Sequence, residues 1–89
     1  MHVVKRKGHR EKFDDKKLYA SVYAACVLTE SMPEKQCEKI AAAVSKDVKR
    51  WIANKKEVNS NDIAKQVTQI LARHHKDAAF MYETHLDVS

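Results

Sequence analysis

Apolar residues recur every three or four positions through four stretches of the chain and alternate with polar ones near its start. Leu18, Val22, Ala25 and Cys26 form the first stripe, widened by Tyr19 and Tyr23, and predict a helix over about 15–28. Asp14 fits its N-cap, because a short carboxylate can accept from the free amides of a first turn, and Asp15 suits the positive end of the helix dipole. Thr29-Glu30-Ser31-Met32-Pro33-Glu34 interrupts the pattern, with Ser31 and Glu34 spaced as a capping box and Pro33 tolerated in the first turn. The second helix then carries Cys37, Ile40, Val44, Val48 and Trp51 inward and Lys46, Lys49 and Arg50 outward, ending near Asn54. A third, capped by Ser60, turns Ile63, Val67, Ile70 and Leu71 to one side and ends near Arg73. The fourth runs from about Asp77 to Leu86 with Ala79, Tyr82 and Leu86 inward.

The period changes before the first helix. Residues 2–6 and about 10–13 predict two strands joined at Lys7-Gly8-His9, where Gly8, the sole glycine, can take a positive φ. Alternation puts Val3 and Lys5 on one face and Val4 and Arg6 on the other. A lone hairpin is marginal in water, so it must pack on the helices through Val3, Val4 and Phe13. The extended Glu57-Val58-Asn59 is placed to add a third strand. The expected fold is α+β and mainly helical: a four-helix bundle capped by a small two- or three-stranded β-sheet built on the N-terminal hairpin, in one domain spanning residues 1–89.

Charge adds a direction to this picture. Of 17 Lys and Arg residues, those from Lys5 to Lys17 crowd onto the hairpin and the first helical turn, and the net charge is +5. Such a surface suits nucleotides, nucleic acid or an acidic protein face. Lys5, Arg6, Lys12 and Lys17 lie near Glu11 and Asp14, a mixture able to hold phosphates at one end and hydrogen-bond a base or ribose at the other. No apolar run reaches the roughly 18 residues that span a bilayer, and the N-terminus lacks a signal-peptide core, which makes the cytoplasm the expected location and a membrane no partner. Cys26 and Cys37 read as buried apolar groups, and the adjacent His74 and His75 as helix-end residues rather than metal ligands. With no glycine-rich phosphate loop and no His-Glu-x-x-His, the sequence offers no catalytic residues and no metal site, and an enzyme is not expected.

Val3-Val4-Lys5-Arg6-x-Gly8, then Glu11-x-Phe13-Asp14 and Lys17-Leu18, resemble the opening of the ATP-cone domain, the regulatory module of ribonucleotide reductases and their transcriptional repressors. Val58-Asn59-Ser60-Asn61-Asp62-Ile63 stands where that family has its closing motif, and Ala78-Ala79-Phe80-Met81-Tyr82 is similar to its last helix, so the likeness covers about residues 2–86. The resemblance implies a domain without catalysis that binds ATP and, in competition, dATP, with Mg2+, between the strand cap and the first helices. The nucleotide would then set oligomeric state or act on a partner regulatory or catalytic protein. Carried over by position, Val3, Lys5 and Arg6 line the site from the first strand with the cations nearest the phosphates. Glu11, Phe13 and Asp14 face base and sugar, Lys17 and Leu18 close the pocket, and Ser60 approaches phosphate. Lys7 stands where Asp is common, Asn59 replaces a frequent Thr, and Ala64 occupies a place where some members have a polar phosphate contact. The alternative is a small basic helical nucleic-acid-binding module of a transcriptional regulator. It is disfavoured, because no helix carries a dense Arg/Lys stripe with Asn or Gln placed for base readout.

Overall fold

The computed structural model describes residues 1–5 and 8–85. Its elements are β1 (His2–Val4), β2 (Arg10–Lys12), α1 (Asp15–Leu28), α2 (Glu34–Ile52), β3 (Glu57–Asn59), α3 (Ser60–His74) and α4 (Lys76–His85). Four helices and a three-stranded mixed sheet make the expected α+β architecture.

Each helix boundary has a local cause. Asp14 is extended and its carboxylate accepts from the amides of Lys16 and Lys17, starting α1 as expected. That helix stops where Glu30 turns to φ 55°, a left-handed conformation that an L-residue with a Cβ adopts at a cost. The capping box expected for α2 does not form. Pro33 is the N-cap with no side-chain bond, and the Ser31 hydroxyl donates instead to Thr29 Oγ1 at 3.1 Å. The proline ring fixes the entry by itself, and its carbonyl accepts from Gln36 and Cys37. At the other end of α2, Ile52 rather than Trp51 takes the last buried position, four residues after Val48. Trp51 is half-buried with the Lys55 ammonium 5.0 Å from its ring centre, a cation–π contact in place of a core anchor.

The cap of α3 also moves by one residue. Asn59 accepts from the Asn61 amide at 2.8 Å, and Ser60 becomes the first, buried, helical residue. His75 breaks α3 from α4: its amide donates to Leu71, and its Nδ1 accepts from Ala78 as a cap for the next helix. The expected inner position Leu86 lies outside the described residues.

β1 is the middle strand, antiparallel to β2 and parallel to β3. Gly8 takes φ 79° in the connection, the conformation expected of it. The Arg10 guanidinium bonds Glu57, linking the two edge strands. Val3 pairs with Val58 and both are buried, so the sheet is sealed by one valine from each of its parallel strands. Below it, Val22, Val44, Val48, Val67 and Leu71 form the centre of the bundle, each fully enclosed. Burying a side chain of this kind stabilises by about 1.5–3 kcal/mol. Cys26 and Cys37 are free and buried in the same core, where burial pushes the Cys26 thiol up to about 11. Among the described residues, no helix is long and apolar enough to cross a membrane.

Candidate functional site

A cleft of about 220 Å³ opens where the hairpin meets α1, α3 and α4. Period-two alternation brings Val3 and Lys5 of the first strand segment to it together. The register sets Glu11 opposite Val3, so Glu11 and, two residues on, Phe13 share that face. Asp14 then starts α1, and Lys17, Leu18 and Ser21 follow on one side of the helix at spacings of three and four. Ser60, Ile63 and Ala64 come from the first turn and a half of α3, and Tyr82 comes from α4.

The lining of the cleft combines two kinds of chemistry. Lys5 Nζ lies 3.2 Å from Glu11 Oε2, and Lys12 and Lys17 are exposed beside them. Val3, Phe13, Leu18, Ile63 and Ala64 supply an apolar wall. Tyr82 closes it; burial pushes the phenol up from its ordinary value, partly opposed by a hydrogen bond with Ser21. Ser60 sits in the opening turn of α3, where unsatisfied amides and the helix dipole favour an anion. An anionic tail can therefore lie along the lysines and the Ser60 turn, with a flat apolar body against Phe13 and Leu18. Neither carboxylate of the cleft is idle: Glu11 holds Lys5, and Asp14 caps α1. Among the described residues, no group of three or more His, Cys, Asp or Glu side chains could hold a metal ion.

Val3, Lys5, Glu11, Phe13, Asp14, Lys17, Leu18 and Ser60, expected at one site from sequence, all line this cleft. Arg6, the remaining expected contact, and Lys7 lie outside the described residues. Ser21 and Ile63 were not anticipated there, whereas Tyr82 reads from sequence as a core-edge residue with the nucleotide pocket or a dimer interface as its alternative place, and it lines the cleft. Ser21 carried a readable signal, being four residues after Lys17 on the same helix face. Ile63 and Tyr82 read as core positions; Tyr82 belongs to the buried core and the partly buried Ile63 packs against it, and both also form the cleft wall. Ala64, noted as a departure from a polar pattern, lines the cleft with a methyl group.

Compared with known families, residues 1–82 match the model of the ATP cone domain, a span that includes every residue lining the cleft. No curated protein matches the chain.

Proposed function

The chain belongs to the ATP cone family, a nucleotide-binding regulatory module, and from that premise we propose that the hairpin cleft binds ATP and dATP in competition. The observation that carries this reading is the convergence of eight residues from the hairpin, α1 and α3 on one cleft whose lining combines lysines with apolar side chains. Lys5, with Arg6 beside it in sequence, serves the phosphates, and Ser60 adds a hydroxyl at the α3 terminus. Glu11, Phe13 and Asp14 face the base and sugar, while Lys17 and Leu18 close the pocket from α1. The cleft is smaller than the roughly 300–1,000 Å³ of typical small-molecule sites, so the triphosphate extends into its open mouth along the lysines.

Mg2+ arrives with the nucleotide, coordinated by phosphate oxygens and water, because both cleft carboxylates are already engaged. The ligand is sensed and not transformed: the cleft residues bind and orient it. Occupancy controls self-association or a partner regulatory or catalytic protein, with residues 1–89 acting as a single cytoplasmic domain.

Titration calorimetry of the chain with ATP, dATP and GTP in the presence of magnesium, with light scattering on the same samples, tests the reading. Saturable heat from ATP and dATP, each displacing the other, with GTP silent, is the expected result, and a nucleotide-dependent mass change identifies assembly as the output. Equal heats from ATP and GTP, or none from any of them, would overturn it.

A further inference from the structure

A second groove, of about 410 Å³, lies between α1 and α2 and shares no lining residue with the nucleotide cleft. Its walls are Asp15, Lys16 and Tyr19 of α1 and Ala42, Ser45, Lys46 and Lys49 of α2. Lys49 is bridged to Asp15 at 2.7 Å, which ties one cation to a carboxylate and lowers the pKa of Asp15. Lys16 and Lys46 are exposed, and among the described residues neither has a carboxylate within ion-pairing distance. Ser45 is 7% exposed, yet its hydroxyl has no hydrogen-bond partner. Other helix hydroxyls behave differently: Ser21 donates to Leu18, Thr68 to Ala64 and Thr84 to Phe80, each returning its proton to its own helix. A buried hydroxyl left unsatisfied in the wall of a groove that also carries lysines is an unusual arrangement in a folded chain, and a phosphate oxygen would complete it once the side chain rotates into the groove.

From this we infer that the groove between α1 and α2 is a second anion site, one that takes an oligophosphate, free or borne on a larger molecule, on Lys16, Lys46 and the Ser45 hydroxyl. Lys49 contributes charge while Asp15 holds it in place, and the Asp15 carboxylate sets the limit of the site on that side. Tyr19, stacked on Tyr23 with ring centres 6.3 Å apart, gives the groove a rigid apolar edge. An elongated anion fits the groove better than a single phosphate, since the lysines stand on two different helices along its length. This inference does not depend on what the nucleotide cleft binds.

The test is residue-resolved NMR titration of the full chain with inorganic triphosphate and, in parallel, with ATP. The expected result is saturable shifts at Tyr19, Ser45, Lys46 and Lys49 with inorganic triphosphate. Shifts at the same four residues with ATP as well would show that the anion is also accepted when borne on a nucleoside. Lys46→Ala should weaken that response about tenfold, the scale of one lost charge-assisted contact. Ser45→Ala, which removes an unsatisfied group and so should fold at least as well, should weaken it several-fold, while shifts at Lys17 and Ser60 stay unchanged in both variants. Three outcomes overturn the inference: shifts confined to the nucleotide cleft, a non-saturating drift of every lysine with ionic strength, or saturable binding at the groove of a glutamate-rich peptide but not of triphosphate.

Discussion

Replacing Lys5 with alanine separates the ligand role of the cleft from its structural role. The ammonium lies 3.2 Å from Glu11, with the two side chains 33% and 48% exposed. An ion pair this open to water contributes no more than about 1 kcal/mol to stability. The backbone bonds of the residue, its amide to His9 at 2.7 Å and its carbonyl from Gly8 at 2.9 Å, survive truncation. The unfolding free energy should therefore fall by less than about 1 kcal/mol, and Tm by less than about 8 °C. Affinity responds on another scale. A hydrogen bond to a charged phosphate is worth about 1.5–3 kcal/mol, so the Kd for ATP should rise about 10- to 150-fold. Part of that rise comes from Glu11, whose carboxylate on the base and sugar side loses its partner and adds uncompensated negative charge to the cleft that holds the triphosphate. The double variant Lys5→Ala/Glu11→Gln isolates this repulsion in its phosphate component. Titration calorimetry at fixed ionic strength gives the affinities and scanning calorimetry of the unliganded protein gives Tm. A Kd within twofold of the parent, in a variant of unchanged Tm, would refute the assignment of Lys5 to the phosphates.

Phe13→Ala should act on both quantities, because the ring packs against the bundle core and also lines the cleft. A cost of about 2 kcal/mol in urea unfolding is expected, less than for a fully buried ring, together with weaker nucleotide binding; lost affinity at full stability would place the ring outside the packing. Glu30→Gly removes the steric penalty of the left-handed residue that ends α1. It should raise stability by about 1 kcal/mol, visible as a higher Tm, and an unchanged or lower Tm would show that the end of α1 relaxes in solution. Asp15→Asn tests the bridge from α1 to α2. The hydrogen bond and charge of Lys49 hold the Asp15 carboxyl below its ordinary 3.8, so its contribution to folding is complete above that pH and disappears as pH falls through the folded value. The urea midpoints of parent and variant should differ at pH 7 and converge as pH falls through the folded value; a gap that persists at acid pH would assign the effect to something other than the carboxylate charge.

Much of this structure could be read from residue spacing, and the exceptions share a cause. The stripe of α1 and the faces of α3 were legible because one face packs on the core and the other meets solvent, so periodicity carries the information. Boundaries were less legible, since several residues competed for each cap. Ser60 and Asn59 both have a capping oxygen, and only the pairing of β1 with β3, made by residues over fifty positions apart, decides that Asn59 stays extended and caps. Trp51 lost its inward place for a related reason: the spacing of Val44 and Val48 fits either Trp51 or Ile52, and the smaller aliphatic side chain fills the end of the core. In the cleft, the charged and glycine-marked hairpin announced itself. Tyr82 was legible only as an alternative, because a tyrosine at core spacing looks the same whether its ring ends in the core or at a cavity wall.

The sheet explains why the site sits where it does. Each strand is three residues long, too little to be stable apart from the bundle, and β1 alone touches both neighbours. Its parallel pairing with β3 places Val58 against Val3, and Ser60 follows Val58 by two residues, so the start of α3 is positioned by the first strand of the chain. The antiparallel pairing does the same for Glu11 and, through it, for Phe13 and the cap of α1. The cleft is thus assembled by the least stable layer of the fold, while its floor rests on the most buried one. A ligand that touches hairpin, α1 and α3 together stabilises those weak pairings in proportion to its occupancy. Local opening of the sheet, which separates Val3 from Val58, dismantles the site without unfolding the bundle. Ligand occupancy and sheet integrity are therefore linked in both directions: hydrogen exchange at the β1 and β3 amides should slow on adding ATP, more than exchange at Val44 or Leu71 in the bundle. Equal protection of both regions would place the response in global stability and remove the sheet from the sensing step.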